Sequence, residues 1–513
     1  MIVKLILLVI FFASMIGVGI YSRKHATNVN DFVLGGRSVG PWLSAFAYGT
    51  SYFSAVVFVG YAGQFGWKYG IATTWIGIGN ALIGSLLAWV LMGRRTRVMT
   101  RHLDAKTMPD FFGKRFDSKA LKITASFIVF VFLIPYTASV YNGLSKLFTM
   151  AFNIEYKWCV IGMAVLTGVY VILGGYMATA INDFIQGIIM LVGIVCVISA
   201  VISGQGGFME AIRKLSEIES DVPATLGQSG AFASFFGTDP INLLGVIILT
   251  SLGTLGLPQM VQKFYAIKSE KAVKTGTIVS TFFAIIIAGG SYFLGGFGRL
   301  FDNPSLYKED GSVMYDAVIP SMLSTLPDIL IGVVVVLVLS ASMSTLSSLV
   351  LTSSTTFTLD FLKDTLMKNM KEKTQLLILR VLIVFFIVVS VLLALDPPTF
   401  IAQLMGISWG ALAGAFLAPF LYGLFWKGVT KLSVWVSFIF GVGITVLNMF
   451  FGFFESSINC GAVAMVGGLI LVPIVSLITP RFNKDKAEEI FKCYDEEVHV
   501  KKLVALQEDE EKE

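Results

Sequence analysis

The sequence predicts an all-α polytopic membrane protein with about 13 transmembrane helices. Of its 513 residues, 55% are hydrophobic and 14% are charged, and the mean hydropathy is +0.79. A soluble domain carries about a quarter charged residues. Apolar runs long enough to cross a bilayer recur along the chain, and basic residues concentrate in alternate loops. We therefore expect a multi-pass protein of the cell membrane, in which the net charge of +5 does not indicate nucleic-acid binding.

The first apolar run predicts the topology. Lys4 to Tyr21 is apolar and is followed by Ser22-Arg23-Lys24-His25. A signal peptide has its positive charge before the apolar stretch, so this run is expected to be an uncleaved span with its N-terminus outside. Later alternate loops are basic as well, at 94–119, at 363–373 and at Lys263, Lys268, Lys271 and Lys274. With an odd number of spans, the C-terminus is then cytoplasmic.

Each predicted span has about 20 residues or more. In chain order they cover approximately 3–22, 41–66, 71–93, 121–149, 158–176, 182–203, 240–262, 273–299, 327–357, 376–396, 399–425, 431–453 and 461–480. Two longer outer loops, about 204–239 and 300–326, are candidates for short lid helices.

Two spans contain helix-breaking residues at membrane depth. The second span carries the small and hydroxyl-bearing run 47–54, and the seventh combines Gly253, Gly256 and Pro258. A broken helix exposes backbone carbonyls and amides, which the membrane tolerates only where they line a cavity or bind something. The alternative is an ordinary kinked span.

The two breaks lie five spans apart, the pattern of secondary transporters built from inverted repeats. This predicts a peripheral first helix at 1–25, a first repeat at 41–203, a second repeat at 240–425, two peripheral helices within 426–481 and a charged cytoplasmic tail at 482–513.

A dense run of hydroxyls, Ser340 to Ser348, lies in the otherwise aliphatic ninth span. Ala341, Ser344, Thr345 and Ser348 follow the i, i+3, i+4, i+7 spacing and share one helix face. Neutral oxygens on such a face suit a hard cation. The alternative is a packing face whose hydroxyls bond to their own helix.

Asp183, at the start of the sixth predicted span, is an ionisable residue inside the membrane segments. Such a carboxylate is costly unless it is paired, hydrated or bound to a cation. The alternative is a helix-start aspartate that faces cytoplasmic water.

The sequence does not indicate an enzyme. The three histidines fall outside the apolar runs, and the four cysteines show no metal-ligand spacing. No nucleophile and base appear together in the spans, and no phosphate-binding P-loop is present. A channel is disfavoured because the hydroxyls cluster at one depth.

Taken together, these motifs resemble the sodium:solute symporter family over about residues 5–480. The residues that carry the resemblance are Asp31 to Arg37 with Gly40-Pro41, Gly174-Gly175, Asn182-Asp183, Gln186-Gly187, Gly256-Leu257-Pro258 with Phe264, and Ala341 to Ser347. The resemblance implies a LeuT-like core of five-plus-five helices, here spans two to six and seven to eleven, that imports a solute with sodium by alternating access.

The resemblance also implies Na⁺ ligands, for one ion or two. The first site would use the carbonyls of Thr50, Phe53 and Ala341 and the hydroxyls of Ser344 and Thr345. A second site would use Asp183, Ser347 and Ser348 and share Ser344.

By position, the resemblance places the solute among Ser51, Tyr52, Ser54, Asn80, Tyr136, Thr250 and Thr254. Threonines stand where proline symporters carry aromatics, and the sialic acid members' arginine near position 136 is lacking. We therefore expect a small carboxylate-bearing solute such as pantothenate, proline or another amino or organic acid, with a lean toward pantothenate. The alternatives are a sodium-coupled sugar or sialic acid symporter, or a sensor or channel on the same fold. The expected partners are the solute, sodium and the bilayer, with the monomer functionally sufficient.

Overall fold

The structure, a computed structural model, describes residues 2–23, 28–399, 401–480 and 484–494. Within these ranges it is built of helices, with isolated bridges in place of strands. The long helices are Ile2–Ser22, Pro41–Tyr52, Val56–His102, Lys119–Phe152, Tyr156–Gly204, Pro240–Gly256 with Pro258–Tyr265, Glu270–Gly295, Asp328–Leu366, Glu372–Leu395, Ile401–Phe425, Lys431–Phe451 and Ser457–Ile478. The predicted all-helical membrane architecture is confirmed.

The number of membrane crossings depends on two very long helices. Ten helices in the described ranges are long and apolar enough to cross a membrane, or eleven if a bent pair counts as one span. Val56–His102 has 47 residues and Tyr156–Gly204 has 49. Each length exceeds twice the hydrocarbon thickness at 1.5 Å per residue. Each also contains a glycine with a positive φ, 63° at Gly70 and 56° at Gly175, a conformation that favours glycine. Division at both glycines gives 13 spans, which stays a prediction.

The first broken helix consists of Pro41–Tyr52 and a continuation over 56–69. Phe53 at the break has an extended backbone, with φ −89° and ψ 123°. The run 47–54, which is predicted to break the helix, therefore does interrupt it.

The second broken helix consists of Pro240–Gly256 and Pro258–Tyr265, which meet at an angle of 42°. Leu257 between them is also extended, with φ −82° and ψ 126°. Pro258 has no amide hydrogen to donate and fits the first turn of the new helix. The expected interruption in the seventh span is present, and it starts a fresh helix that carries Lys263.

The hydroxyl-rich helix, Asp328–Thr356, lies in the middle of the molecule. Every residue from 337 to 356 is buried. It packs against Tyr156–Gly204, against Lys119–Phe152 and against the first broken helix. A helix surrounded in this way presents its hydroxyls to protein on all sides.

The structure corrects two expectations about charged residues in this region. Asp183 is not at a helix start facing water, because it lies eight residues beyond the bend at Gly175 and is fully buried. Lys263 does not lie in a basic loop, because the second half of the second broken helix holds it in the interior, 3% exposed.

The two predicted outer loops and the tail also differ from simple coil. Each of these loops contains a short helix, Phe208–Glu217 in one and Tyr315–Ser324 in the other, as expected for lid candidates. Within the predicted charged tail, residues 484–494 form a helical segment that buries Ile490 and Phe491. The rest of the predicted tail, at 482–483 and 495–513, lies outside the described residues.

Candidate functional site

A cluster of neutral oxygens lies where the hydroxyl-rich helix crosses the break of the first broken helix. Thr345 Oγ1 lies 3.4 Å from the carbonyl oxygen of Thr50, 3.3 Å from that of Ser51, 3.2 Å from that of Phe53 and 3.1 Å from that of Ala341. Next to it, Ser344 Oγ donates to Thr50 Oγ1 at 2.7 Å. The structure therefore brings together all the residues predicted for the first sodium site.

The break supplies these carbonyl oxygens because two amides are diverted from the usual helical pattern. The amide of Ala55 donates to Ser342 Oγ at 3.1 Å, and the amide of Val57 donates to Ser54 O at 3.1 Å. In a continuous helix they would donate to the carbonyls four residues earlier, those of Ser51 and Phe53. Those two oxygens are left facing Thr345.

The neutral oxygen cluster has more acceptors than donors. The Ala341 carbonyl lies within a continuous helix and accepts its usual helical bond. The Thr345 hydroxyl has one hydrogen and cannot satisfy the other three carbonyl oxygens at once. Buried carbonyls without donors are costly unless something else supplies positive charge. Oxygen ligands of this kind suit a hard cation, so the residues fit a sodium ion.

The residues predicted to bind a second sodium ion lie beside a positively charged side chain of the protein itself. Lys263 Nζ lies 3.6 Å from Asp183 Oδ2 and donates to Ser348 Oγ at 2.9 Å. Ser348 Oγ lies 2.9 Å from Ser51 Oγ, so the ammonium is one hydroxyl away from the first broken helix. Ser347 Oγ donates to Ser344 O within its own helix at 2.8 Å. The predicted second sodium set is thus occupied by an internal ion pair, the Asp183–Lys263 pair.

Near the first break lies a group of buried polar atoms that have no hydrogen-bond partner of good geometry among the described residues. We call this group the aromatic chamber, and its members are Tyr52 Oη, Tyr136 Oη, Trp409 Nε1, Asn80 Nδ2 and Tyr292 Oη. The rings of Tyr52 and Tyr136 each lie 5.9 Å from that of Trp409. Tyr52 and Asn80 also line a narrow cavity together with Thr254. Unsatisfied buried groups call for an explanation, and a bound polar molecule supplies one.

The remaining predicted solute residues form hydrogen bonds to nearby backbone groups in this structure. Ser51 Oγ donates to Ala47 O at 2.6 Å and faces Ser348, toward the Asp183–Lys263 pair. Ser54 Oγ accepts from the amide of Val56 at 3.2 Å and caps the helix that follows the break. Thr250 Oγ1 donates to Val246 O at 2.8 Å within its own helix. The roles of these three residues in solute binding stay predictions.

Two residues in this region are not predicted as site residues from the sequence. Trp409 is one of many aromatics in an apolar span, and only its unpaired indole nitrogen beside Tyr52 and Tyr136 distinguishes it. Lys263 was assigned to a basic loop. The signal that could have placed it is Pro258, which marks the start of a new helix five residues earlier.

Comparison with known proteins decides the family. A model of the sodium:solute symporter family matches residues 32–443. The chain belongs to the sodium:solute symporter family. It is therefore a transporter and not an enzyme, and the resemblance predicted from the motifs is confirmed.

Curated relatives of this sodium:solute symporter match it over almost its whole length. The osmoregulated proline transporter OpuE of Bacillus subtilis is 28% identical over 492 residues, covering 94% of this chain and 96% of the relative. Sodium/proline symporter 2 of Staphylococcus saprophyticus is 30% identical over 494 residues, covering 93% of both chains.

A solved structure shows the same fold. A Na⁺-coupled sialic acid symporter in a substrate-bound, outward-open state superimposes with a TM-score of 0.76 at 19% identity. The match covers 93% of this chain and 98% of that one. At this identity the likeness establishes the fold.

Proposed function

We propose that this protein is a sodium-coupled symporter that imports a small carboxylate-bearing solute, with proline as the leading candidate. The observation that carries the coupling is the neutral oxygen cluster, in which four carbonyl oxygens surround the Thr345 hydroxyl. Sodium would be held there by the carbonyls of Thr50, Phe53 and Ala341 and by the hydroxyls of Ser344 and Thr345.

The cluster and the aromatic chamber share the break of the first broken helix, and this supports coupling between ion and solute. Tyr52 of the chamber directly precedes Phe53, whose carbonyl belongs to the cluster. An ion that fixes the Phe53 carbonyl also restrains the neighbouring Tyr52 ring. Sodium binding would therefore strengthen solute binding, and by thermodynamic linkage the solute would strengthen sodium binding by the same factor.

The donors of the chamber favour a solute with an anionic group. The indole nitrogen of Trp409 and the amide nitrogen of Asn80 can donate hydrogen bonds but cannot accept them. With the tyrosine hydroxyls they form a set suited to a carboxylate. The rings of Tyr52, Tyr136 and Trp409 offer apolar faces for an aliphatic ring. The sequence motifs favour pantothenate as the solute, whereas the named relatives transport proline. We therefore place proline before pantothenate.

The proposal includes the architecture expected from the sequence. Residues 41–203 and 240–425 would form two inverted repeats that rock around the site, with the N-terminus outside and the C-terminus in the cytoplasm. Each predicted repeat opens with a broken helix that has one extended residue at its break, Phe53 in one and Leu257 in the other. This similarity supports the repeat.

Uptake into proteoliposomes tests the function. We expect radiolabelled proline to accumulate above its external concentration under an inward sodium gradient and not under an equal potassium gradient. Unlabelled pantothenate, sialic acid and glucose would compete weakly or not at all. Strong inhibition by one of these would move the substrate to that class. A channel would give equilibration without accumulation, and a sensor would give binding without flux.

A further inference from the structure

The Asp183–Lys263 pair is buried on both sides. The side chain of Asp183 is fully buried and that of Lys263 is 4% exposed. Neither carboxylate oxygen of Asp183 accepts a hydrogen bond of good geometry among the described residues, so the ammonium 3.6 Å away is what balances its charge. Buried charges persist when they are paired in this way.

The position of the ammonium is the position that a second sodium ion would need. It contacts both Asp183 and Ser348, two of the four predicted ligands, and Ser348 Oγ is already engaged with it at 2.9 Å. The ring of Tyr176 covers Lys263, with Nζ 5.2 Å from the ring centroid. The Lys263 ammonium is therefore a cation that already occupies the second predicted sodium site.

The charge balance excludes a further cation while Lys263 remains there. The ammonium already neutralises the carboxylate, and a sodium ion bound to the same carboxylate would lie beside a like charge and be repelled by it. The neutral oxygen cluster lacks such a charge, because its ligands are carbonyls and hydroxyls. The neutral oxygen cluster can therefore accept a cation, whereas the second predicted sodium site cannot accept one while Lys263 remains there.

The second broken helix delivers the ammonium to this place. Pro258 restarts the helix after the extended Leu257, and Lys263 lies five residues further along it. The Lys263 ammonium thereby reaches Ser348 on the hydroxyl-rich helix, 85 residues away in sequence.

We propose that the Lys263 ammonium replaces a second sodium ion as a built-in cation on Asp183, so that the protein binds and transports one sodium ion per cycle. This inference rests on the proposed function for the transport part only. The binding part concerns the number of sodium ions on the purified protein and can be tested without a substrate.

The test counts sodium ions on the detergent-purified full-length protein. Binding of ²²Na⁺ to saturation should give one ion per chain for the wild type. Lys263→Gln removes the ammonium and leaves Asp183 with Ser344, Ser347 and Ser348, so it should bind two ions. The double variant Lys263→Gln with Asp183→Asn should return to one. Two ions on the wild type, or one ion on a folded Lys263→Gln variant, would overturn the proposal.

Controls separate a filled site from a damaged fold. Lys268→Gln removes an exposed lysine five residues away and should still bind one ion. Lys263→Arg keeps a positive charge and should also bind one. If Lys263→Gln is unstable without sodium, its melting temperature should rise more steeply with sodium than that of the wild type, because a ligand that binds the native state stabilises it. An equal dependence in both proteins would contradict the proposal.

The transport consequence has its own readout. In proteoliposomes, the membrane potential and sodium gradient at which net proline flux reverses give the ion-to-solute ratio. We expect one sodium for the wild type and two for Lys263→Gln where that variant transports. A wild-type ratio of two would overturn the proposal. Absence of flux with any solute, combined with one bound ion on the wild type, would reject the proposed function and leave the built-in cation standing.

Discussion

Two sites for positive charge lie on the same hydroxyl-rich helix and are built from different chemistry. The neutral oxygen cluster gathers backbone carbonyls and the hydroxyls of Ser344 and Thr345. The second site, one turn further along, has a full carboxylate, Asp183, and pairs it with Lys263. We propose that the site without formal charge takes a sodium ion from outside, whereas the site with formal charge already has a cation from the chain.

The size of the electrostatic effect predicts that the two sites differ in their affinity for sodium. Two like charges about 4 Å apart repel by about 4 kcal/mol at an effective dielectric constant of about 20. That penalty corresponds to roughly a thousandfold loss of affinity. A sodium ion beside the Lys263 ammonium would meet this repulsion, while one beside Thr345 would meet carbonyl oxygens alone.

Removal of the Thr345 hydroxyl should have the largest effect, because it removes the centre of the neutral oxygen cluster. Thr345→Val keeps the shape of the side chain and loses its oxygen. A hydrogen-bonding group that serves a charge contributes about 1.5–3 kcal/mol. We therefore expect the half-saturating sodium concentration for uptake to rise about 10- to 100-fold. Sodium titration of proline uptake measures this.

Two further variants sharpen the Thr345 result. Thr345→Ser retains the hydroxyl and should keep sodium activation close to that of the wild type. Ser353→Ala removes a buried hydroxyl without a partner from the same helix, away from the cluster, and should change sodium activation little. A Thr345→Val protein with normal sodium activation would contradict sodium binding at the neutral oxygen cluster.

Replacement of Trp409 should have an intermediate effect and should act on the solute rather than on the ion. Trp409→Phe keeps an aromatic ring against Tyr52 and Tyr136 and loses the N–H donor. We expect the KM for the solute to rise about tenfold, the effect of one lost hydrogen bond to a charged group. Sodium binding measured without solute should stay unchanged. Trp42→Phe, at an exposed position, is the matched control.

Ser347→Ala should have the smallest effect, and its size depends on Lys263. In the wild type Ser347 bonds to its own helix and does not contact the ammonium, so sodium activation should change less than about twofold. In the Lys263→Gln background Ser347 becomes a ligand of the second ion, and its loss should weaken the second binding step. Equal effects in both backgrounds would show that the second site does not depend on Lys263.

The sequence was sufficient for features that follow from local pattern. The i, i+3, i+4, i+7 spacing predicts that Ser344, Thr345 and Ala341 share one face. The small and hydroxyl-bearing run 47–54 predicts the first helix break, and glycines with Pro258 predict the second. The family then supplied Thr50 and Phe53 as partners. The structure brings these residues together, and sodium binding by them stays a prediction.

The features that escaped the sequence depend on packing between distant segments. Lys263 is followed by Lys268, Lys271 and Lys274, and these lysines give it the charge pattern of a basic loop. Its burial arises because the break at Leu257 redirects the helix toward Asp183, 80 residues earlier in the chain. Trp409 likewise gains its meaning from Tyr52 and Tyr136, which lie on other helices.

The ion pair between Asp183 and Lys263 has a consequence for how much of the sodium gradient the cell uses for each solute molecule. Each positive charge that moves inward across 100 mV releases about 2.3 kcal/mol, enough to support a concentration ratio of about 50. A transporter whose second cation is part of its own chain would move one sodium ion per solute molecule instead of two, so this energy would be available once per molecule. It would concentrate its solute less steeply, and it would spend half as much of the sodium gradient on each molecule gained.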